Sequence, residues 1–365
     1  MKKSLSVLLV LVMVLSLGLT GCGGKDEGGA ADSGKTYTWK VQGYTAAGTY
    51  FDKMGENLAN SITEASNGRL KIDWYSADSL VAVAENANGV RDGIIDGAFD
   101  YAGLYTSMND AFALFCSSPG MFSDPMDMYT WITKGGGLEL WQEMWDDYGM
   151  NGHLILAGIH DQEDFLWSNK PIETIDDMKG ITLRMMPIMG TILADNGLSV
   201  AFVSGTEIVS SMERGVIDAG EYSIPALDKT FGFQDVAKYY ARPGLHQPTA
   251  TISLNVNNDK WNELPDDLKR IVEACCHESV TNFLADSRME NIKAMQFFEE
   301  NGITQTQLTD ETVATLLTWI DNYYKKECPK NEWLKKVRES QVAHIKDIAA
   351  YKDSLDFAYP EWAYK

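Results

Sequence analysis

Histidine and cysteine are both scarce in this chain, since its 365 residues contain only five of each. The histidines are scattered, and neither G-x-S-x-G nor H-E-x-x-H occurs, the patterns that mark many serine hydrolases and zinc proteases. No C-x-x-C pair occurs either, so the spacing typical of a structural zinc site is missing. The sequence therefore predicts neither of these hydrolase chemistries and no structural zinc.

Positive charge is also in short supply, with 31 lysines and arginines against 52 acidic residues and a net charge of -21. Nucleic-acid binding and polybasic membrane binding both need clustered positive charge, so neither is expected. Beyond the first 22 residues, no apolar run approaches the roughly 20 residues needed to cross a bilayer.

The remaining cysteines beyond residue 22 stand in the wrong spacing for a metal but leave their pairing open. We expect buried free thiols, since a cysteine without a partner behaves as a small apolar residue. A disulfide from the last of them to one of the adjacent pair is chemically allowed outside the cell. These residues are Cys116, Cys275, Cys276 and Cys328.

The one long apolar run lies at the amino terminus. Lys2 and Lys3 precede apolar residues 5–15, and the stretch ends in LTGC, which predicts a signal peptide over 1–21. The small residue before Cys22 makes this a lipobox-like sequence, implying that Cys22 is lipidated and holds the chain on the extracytoplasmic face of the cell membrane. An ordinary secretory signal with an incidental cysteine is the alternative. The Gly-rich polar residues 22–36 predict a flexible tether.

Two similar phrases occur about 120 residues apart, RDGIIDGAFDY at 91–101 and ERGVIDAGEY at 213–222. Each follows a helical pattern and has a glycine where a helix commonly ends in the left-handed conformation. Each then continues as a short apolar strand. The pair predicts two α/β lobes in which Asp100-Tyr101 and Glu221-Tyr222 face each other across a cleft, because ligands lie beyond the carboxyl ends of such strands. Chance recurrence of a common helix exit is the alternative.

The pattern around these phrases predicts how the chain is divided. We expect lobe I over 37–158 with part of 250–300, lobe II over 159–249 with later helices, and a helical C-terminal segment over 300–365. The strand expected at 250–261 would cross back between the lobes, with a pivot near 158–159 and 248–252. Further strands are expected at 39–45, 68–80 and 181–188.

The order of several phrases resembles one family of proteins over nearly the whole chain, from about Trp39 to the 340s. The chain resembles the solute-binding receptors of tripartite ATP-independent periplasmic (TRAP) transporters, of the dicarboxylate-receptor type. That resemblance implies an α/β periplasmic-binding-protein clamshell of two lobes with crossing strands and long C-terminal helices. GGGLELWQEM and YYARPGLHQP are most similar to the subgroup that binds 2-oxo and 2-hydroxy monocarboxylates. The other phrases are SNGRLKIDWYSADSL, NGVRDGIIDGAFDY, KPIETIDDMKGITLRM and MERGVIDAGEY.

Arg184 is the first candidate ligand-binding residue. It stands in the apolar strand ITLRM, where a buried cation without an anion would cost several kcal/mol. Its planar fork suits a carboxylate, and the resemblance implies that the carboxylate belongs to the ligand. A structural salt bridge to a nearby acidic residue is the alternative.

The resemblance also implies a cation at the site. In the oxo-acid-binding relatives an acid followed by an aromatic residue, here Glu221 and Tyr222, and a Glu or Gln matching Gln247 help to hold a cation that touches the ligand. Oxygen ligands suit Na⁺ or Ca²⁺ rather than zinc. Either Gln162 or Glu163 could supply a further oxygen.

Three aromatic residues complete the predicted set. The relatives have a Gly-Gly-Trp-type stretch at this point. This chain has its tryptophan, Trp167, but Phe165 and Leu166 stand in place of the glycines. Tyr101 ends the first phrase, and Tyr44 lies at a strand-to-helix turn where free N–H groups favour anions. Packing is the alternative role for each tyrosine.

Together these features predict a receptor rather than an enzyme. The resemblance implies that the lobes close on a small organic acid and that the closed form docks on the membrane subunits of a TRAP transporter. The C-terminal tail is a candidate homodimer surface. A sensory receptor feeding a membrane kinase is an alternative, as is a hydrolase using Asp100 and Glu221 as its carboxylate pair.

Overall fold

The computed structural model describes residues 34–352, so the predicted signal peptide, Cys22 and most of the tether lie outside the described residues. The strands in chain order are β1 Tyr37–Gly43, β2 Leu70–Tyr75, β3 Gly97–Asp100, β4 Gly152–His160, β5 Leu166–Ser168, β6 Thr182–Arg184, β7 Ser199–Ala201, β8 Ala219–Gly220, β9 Tyr239–Arg242, β10 Ala250–Asn257 and β11 Thr304–Gln307.

Helices fill most of the remaining chain. In order they are α1 Tyr50–Ala65, α2 Asn86–Arg91, α3 Ala111–Cys116, α4 Pro125–Lys134, α5 Gly137–Asp147, α6 Pro187–Asp195, α7 Ile208–Glu213, α8 Pro225–Phe231, α9 Phe233–Val236, α10 Asn258–Asn262, α11 Asp266–Glu300, α12 Asp310–Glu327 and α13 Glu332–Lys352. Across residues 34–352, no helix combines the length and apolar character needed to span a membrane.

The strands form two sheets. The first sheet has the order β2-β1-β3-β10-β4, with β1 parallel to β2 and β3, and β10 antiparallel to β3 and β4. The second sheet has the order β11-β9-β5-β8-β6-β7. An α/β architecture built around two sheets is therefore confirmed.

The two similar phrases fold in the same way, one in each sheet. Gly93 follows α2 and Gly215 follows α7, with φ of 69° and 68°, a conformation that costs glycine no steric clash. Each glycine leads into a strand, β3 in the first sheet and β8 in the second. The strand ends that carry Tyr101 and Glu221 are positioned by these turns.

The chain passes between the sheets through residues 161–165 and 243–249, which we call the crossing segments. They lie side by side, because the backbone N–H of Glu163 donates to the carbonyl of Gln247 at 3.2 Å. The predicted pivot overlaps the second of them at 248–249 and otherwise lies where β4 and β10 pair, with Ile252 opposite Gly158. The crossing segments thus bring residues from distant parts of the sequence to the boundary between the sheets.

Helix α11 connects the two sheets. It packs against β4 and α1 beside the first sheet and against α8, which follows β8 of the second sheet. Helix α13 packs on α3, α4 and α5, which lie between β3 and β4 in sequence. There the buried Gln341 donates to the carbonyl of Leu114 at 2.8 Å and accepts from Ser118 at 2.9 Å. In α12, Leu316, Ile320 and Tyr323 are buried.

The structure departs from the sequence-based expectation at several strand ends and in the C-terminal segment. Strand β2 covers Leu70–Tyr75 rather than 68–80, and β10 ends at Asn257 rather than at 261, because Asn258 begins α10. Strand β6 ends at Arg184 rather than at 188, because Pro187 begins α6 and proline favours the first turn of a helix. The C-terminal segment also contains a strand, β11, which pairs in parallel with β9 at the edge of the second sheet.

All four cysteines within the described residues are free thiols. The disulfide that the sequence left open, from Cys328 to Cys275 or Cys276, is therefore not formed. Burial raises the pKa of Cys116 to about 12, so this thiol stays protonated and unreactive at neutral pH.

Candidate ligand-binding site

Arg184 lies at the end of β6, between Gly220 of β8 and Ala201 of β7, and is only 4% exposed. Its Nη1 lies 2.7 Å from the backbone carbonyl of Glu221 and 2.7 Å from the Oε1 atom of the same residue. Its Nε donates to the carbonyl of Val203 at 3.1 Å. The internal salt bridge considered as the alternative is therefore present.

This pairing leaves one side of the guanidinium weakly engaged. Among residues 34–352, the one hydrogen-bond partner of Arg184 Nη2 is the thioether sulfur of Met186 at 3.9 Å. Sulfur is a weak acceptor, so Nη2 retains donor capacity for an anion.

Glu221 follows β8 directly, and its side chain is fully buried. Its Oε1 faces Arg184 and accepts the backbone N–H of Met186 at 2.7 Å. Its Oε2 has no hydrogen-bond partner among the described residues. An unpaired buried carboxylate oxygen is costly, and it marks a position where a donor or a cation would be stabilising.

Glu163 and His246 lie beside this oxygen, one on each crossing segment. Donor atoms of Glu163, Glu221 and His246 all lie within 4.8 Å of one another, and all three residues are buried. His246 Nε2 is 3.3 Å from Glu163 Oε2 and 3.8 Å from Glu221 Oε2. We call these three residues the carboxylate-histidine cluster.

Burial and like charge set the protonation of this cluster. Burial, together with the neighbouring Glu221 carboxylate, raises the pKa of Glu163 well above its usual range. Burial lowers the pKa of His246 to about 4, so its imidazole is neutral at pH 7 and adds no positive charge. A cation between the two carboxylates would remove the unfavourable interaction that this arrangement creates.

Gln247 connects the cluster to the first sheet. Its Nε2 donates to Glu163 Oε1 at 2.6 Å, and its Oε1 accepts the Tyr101 hydroxyl at 3.2 Å. Tyr44 stacks on Tyr101 with ring centroids 5.9 Å apart. Burial raises the pKa of both tyrosines well above the usual value, so both remain neutral phenols.

The two phrases of the sequence thus meet at this point, although not through all of their residues. Tyr101 reaches Glu163 through Gln247, and Glu163 lies beside Glu221. Asp100 instead bonds to residues close to it in sequence, since it accepts the Tyr105 hydroxyl and the backbone N–H of Tyr101. Asp100 is therefore engaged by its own neighbours, which gives no support to an Asp100–Glu221 carboxylate pair.

Trp167 and Gln162 occupy other positions than expected, whereas Tyr222 lies near the charges of Arg184, Glu163 and Glu221. Trp167 is fully buried, stacks on Tyr240 at 5.1 Å and donates its indole N–H to Asp228 at 2.7 Å, so it belongs to the core. Gln162 has no side-chain hydrogen bond within the described part of the chain, and Glu163, the other residue considered there, reaches the cluster instead. Tyr222 is half-buried and packs its ring on Phe231, at 4.3 Å between centroids.

A second ion pair, partly buried, follows the cluster residue Glu163 in sequence. Asp164 pairs with Arg242 Nη1 at 2.8 Å, and burial raises the pKa of Asp164 to about 7. Within residues 34–352, Arg184 is the one lysine or arginine in an ion pair with the cluster's carboxylates, and the buried Asp228 nearby also raises the pKa of Glu163.

His246 is the residue of this site that the sequence analysis did not identify. It stands in the quoted phrase PGLHQP, beside the predicted Gln247, but no spacing in the sequence links it to Glu163 or Glu221. Only the side-by-side crossing segments bring these residues together.

Comparison with known proteins places this chain in a family. Residues 42–331 match the DctP family, described as bacterial extracellular solute-binding protein, family 7. The monocarboxylate 2-oxoacid-binding periplasmic protein of Nostoc is 25% identical over 308 residues, which cover 84% of each chain.

Solved structures of TRAP transporter solute-binding proteins have the same fold. The protein from Bordetella bronchiseptica, with copurified calcium and picolinate, has a TM-score of 0.81 and 23% identity and covers 88% of this chain and 97% of its own. That from Colwellia psychrerythraea, with calcium and pyruvate, has a TM-score of 0.81 and 22% identity, covering 87% and 97%. That from Pseudoalteromonas atlantica, with sodium and pyruvate, has a TM-score of 0.79 and 24% identity, covering 87% and 96%.

The predicted periplasmic-binding-protein fold is confirmed by these likenesses, and the fold and family are those of solute-binding receptors. The family resemblance that the sequence phrases carry is confirmed as well. The chain belongs to the DctP family of bacterial extracellular solute-binding proteins.

Proposed function

We propose that the chain is an extracytoplasmic receptor that binds a small 2-oxo or 2-hydroxy acid together with a cation for a TRAP transporter. The observation that carries the proposal is the buried carboxylate-histidine cluster beside Arg184, with Glu221 Oε2 left without a partner. The names of the relatives support the ligand class, since they include a 2-oxoacid-binding protein and structures with bound pyruvate.

Arg184 and the cation have complementary roles in this proposal. Arg184 Nη2 offers its free N–H groups to the carboxylate of the acid, and a guanidinium suits such an anion. The positive charge of Arg184 is already balanced by Glu221 at 2.7 Å, so an incoming anion would meet uncompensated Glu163. A cation held by the oxygens of Glu221 and Glu163, and by Gln247 where its amide oxygen is released from Tyr101, offsets that repulsion. When bound, it supplies a positive charge for the carboxylate and the oxo or hydroxyl oxygen.

Residues of the first sheet complete the site from the other side. Tyr101 and the stacked Tyr44 present neutral hydroxyl-bearing rings there. An acid that contacts these tyrosines and Arg184 at once stabilises the arrangement in which both parts of the chain surround it. Bending at the crossing segments lets the site open and close, as in other receptors of this architecture.

The membrane part of the proposal rests on the amino-terminal sequence. Lipidation at Cys22 anchors the receptor, and the closed form delivers the acid to the transporter's membrane subunits. The proposed receptor also forms a homodimer through its C-terminal segment, and one similar structure is described as a dimer. The chain has no catalytic role in this proposal.

A panel of acids tests the ligand assignment. We expect pyruvate or a related 2-oxo or 2-hydroxy acid to stabilise the purified protein by about 2.7 kcal/mol at a hundredfold excess over Kd, in thermal unfolding with Ca²⁺ or Na⁺ present. Removal of Ca²⁺ by a chelator and exchange of Na⁺ for choline should together reduce this stabilisation strongly. If sugar acids or dicarboxylates alone stabilise the protein, the ligand class is wrong.

Replacement of Cys22 by serine tests the anchor. We expect wild-type protein in the membrane fraction and the Cys22→Ser protein released in soluble form, because only the wild type can carry the lipid. Cys328→Ser, which leaves the amino terminus intact, is the control and should stay with the membrane. Soluble wild-type protein would rule the anchor out.

A further inference from the structure

The residues of the carboxylate-histidine cluster indicate which charge a cation at this site would need. The similar solved structures hold calcium in two cases and sodium in another, so relatives of this fold accept either ion. The inference that follows rests on the proposed function, because it concerns the cation bound beside the acid. The inference is argued from residues of this chain and not from the ions found in the relatives.

The first observation is that Glu163 is a second carboxylate in a space that already contains Glu221. Both are buried, and their oxygens lie within the 4.8 Å that spans the cluster. Gln247 Nε2 donates to Glu163 Oε1 at 2.6 Å, and His246 Nε2 lies 3.3 Å from Glu163 Oε2. Within residues 34–352, no lysine or arginine forms an ion pair with this carboxylate.

The second observation is the unpartnered oxygen. Glu221 Oε2 is fully buried, has no hydrogen-bond partner among residues 34–352 and lies 3.8 Å from His246 Nε2. Its twin oxygen Oε1 is occupied by Arg184 and by the backbone of Met186. One oxygen of Glu221 and one of Glu163 thus both lie near His246 Nε2 and within 4.8 Å of each other, a spacing at which two carboxylates can share a hard cation.

The third observation is the charge balance. Metal binding requires both carboxylates to be deprotonated, and Glu163 and Glu221 together with the one guanidinium of Arg184 then carry a single negative charge. A divalent ion with one monocarboxylate brings the site to neutrality. A sodium ion with the same acid leaves a buried negative charge, which is unfavourable away from water.

We propose that the cation bound with the acid is divalent, and that Glu163 makes the site prefer Ca²⁺ over Na⁺. Glu221 alone, already paired with Arg184, provides no excess charge for a divalent ion. Glu163 supplies that excess, and charge count among oxygen ligands is what tunes Ca²⁺ affinity in proteins.

Calorimetric titration of the purified protein with CaCl₂ and with NaCl, in choline buffer at saturating pyruvate, tests the proposal. Wild type should bind Ca²⁺ at least about 100-fold more tightly than Na⁺, and Glu163→Gln should lose roughly 100-fold in Ca²⁺ affinity with little change for Na⁺. Asp161→Asn is the matched control, since it removes one charge from the same crossing segment where Asp161 pairs with Arg288 at 2.6 Å. It should keep the wild-type preference.

Two further arms keep the result interpretable. Glu163→Asp keeps the charge and should retain the Ca²⁺ preference at lower affinity, which serves if Glu163→Gln does not fold. A wild-type protein that binds Na⁺ as tightly as Ca²⁺, or a Glu163→Gln protein with an unchanged ion preference, overturns the inference.

The ions are also titrated without acid, so that the two proposals can fail separately. Acid binding that is equally strong with Na⁺ and with Ca²⁺ leaves the receptor function standing and removes the divalent preference. If the protein binds no acid but binds Ca²⁺ in a way that depends on Glu163, the divalent preference stands and the receptor function is refuted.

Discussion

Replacement of Arg184 by alanine is expected to abolish stabilisation by the acid and to lower the free energy of unfolding by about 3–5 kcal/mol. The side chain of Glu221 is fully buried and has Arg184 as its ion-pair partner at 2.7 Å, so the substitution leaves an uncompensated buried charge. The carbonyl of Val203 loses its donor as well. Urea unfolding measures the stability, and thermal unfolding with and without pyruvate measures the binding.

The matched control is Arg242→Ala, which breaks the other buried ion pair. Asp164 is fully buried and pairs with Arg242 at 2.8 Å, so this variant should also be destabilised. Because Arg242 is not among the proposed ligand contacts, the acid should still stabilise the folded fraction. An Arg184→Ala protein that binds the acid as well as wild type would refute the carboxylate assignment.

Replacement of Gly244 by alanine is expected to destabilise the fold by about 3 kcal/mol or more and to weaken acid binding. A Cβ atom at this position would overlap the carbonyl oxygen of Glu163 and lie 2.8 Å from its carbonyl carbon. Both are backbone atoms of the opposite crossing segment, so the two segments must separate. Separation displaces Glu163 from Gln247 and from the cluster. Urea unfolding and acid titration record the two effects.

Gly158→Ala is the control for this variant. Gly158 lies in β4 just before the crossing segment, and its added Cβ would approach the side chain of Ile252 at 3.3 Å. The nearest atom is the Cβ of Ile252, and a shift of a few tenths of an ångström between β4 and β10 relieves a contact of 3.3 Å, so a much smaller loss of stability is expected. Equal losses in the two variants would mean that the close backbone approach at Gly244 is not what holds the crossing segments together.

Much of the fold could be predicted because its signals are local. Gly93 and Gly215 mark the ends of α2 and α7, since a left-handed residue after a helix favours glycine, and the short strands that follow are apolar. Arg184 and Glu221 could be named as candidates because each stands at the end of a short apolar strand. The sequence allows a salt bridge from Arg184 to a nearby acidic residue, but spacing alone does not show that this residue is Glu221.

The rest depends on contacts between distant parts of the chain. Glu163 and His246 are 83 residues apart, and nothing local shows that their two segments run side by side. Trp167 shows the opposite problem, because a tryptophan near a site can equally fill the core, and its N–H finds Asp228 only in the folded protein. Strand β11 was missed since TQTQ has little apolar character and pairs at a sheet edge.

The arrangement of the sheets limits how proteins of this shape can diversify. The first sheet takes β10 from beyond the whole second stretch of strands, and the second sheet takes β11 from beyond α11. No single cut in the gene separates one sheet from the other, so one crossover between paralogues cannot exchange an intact sheet. A point change leaves both sheets inherited together.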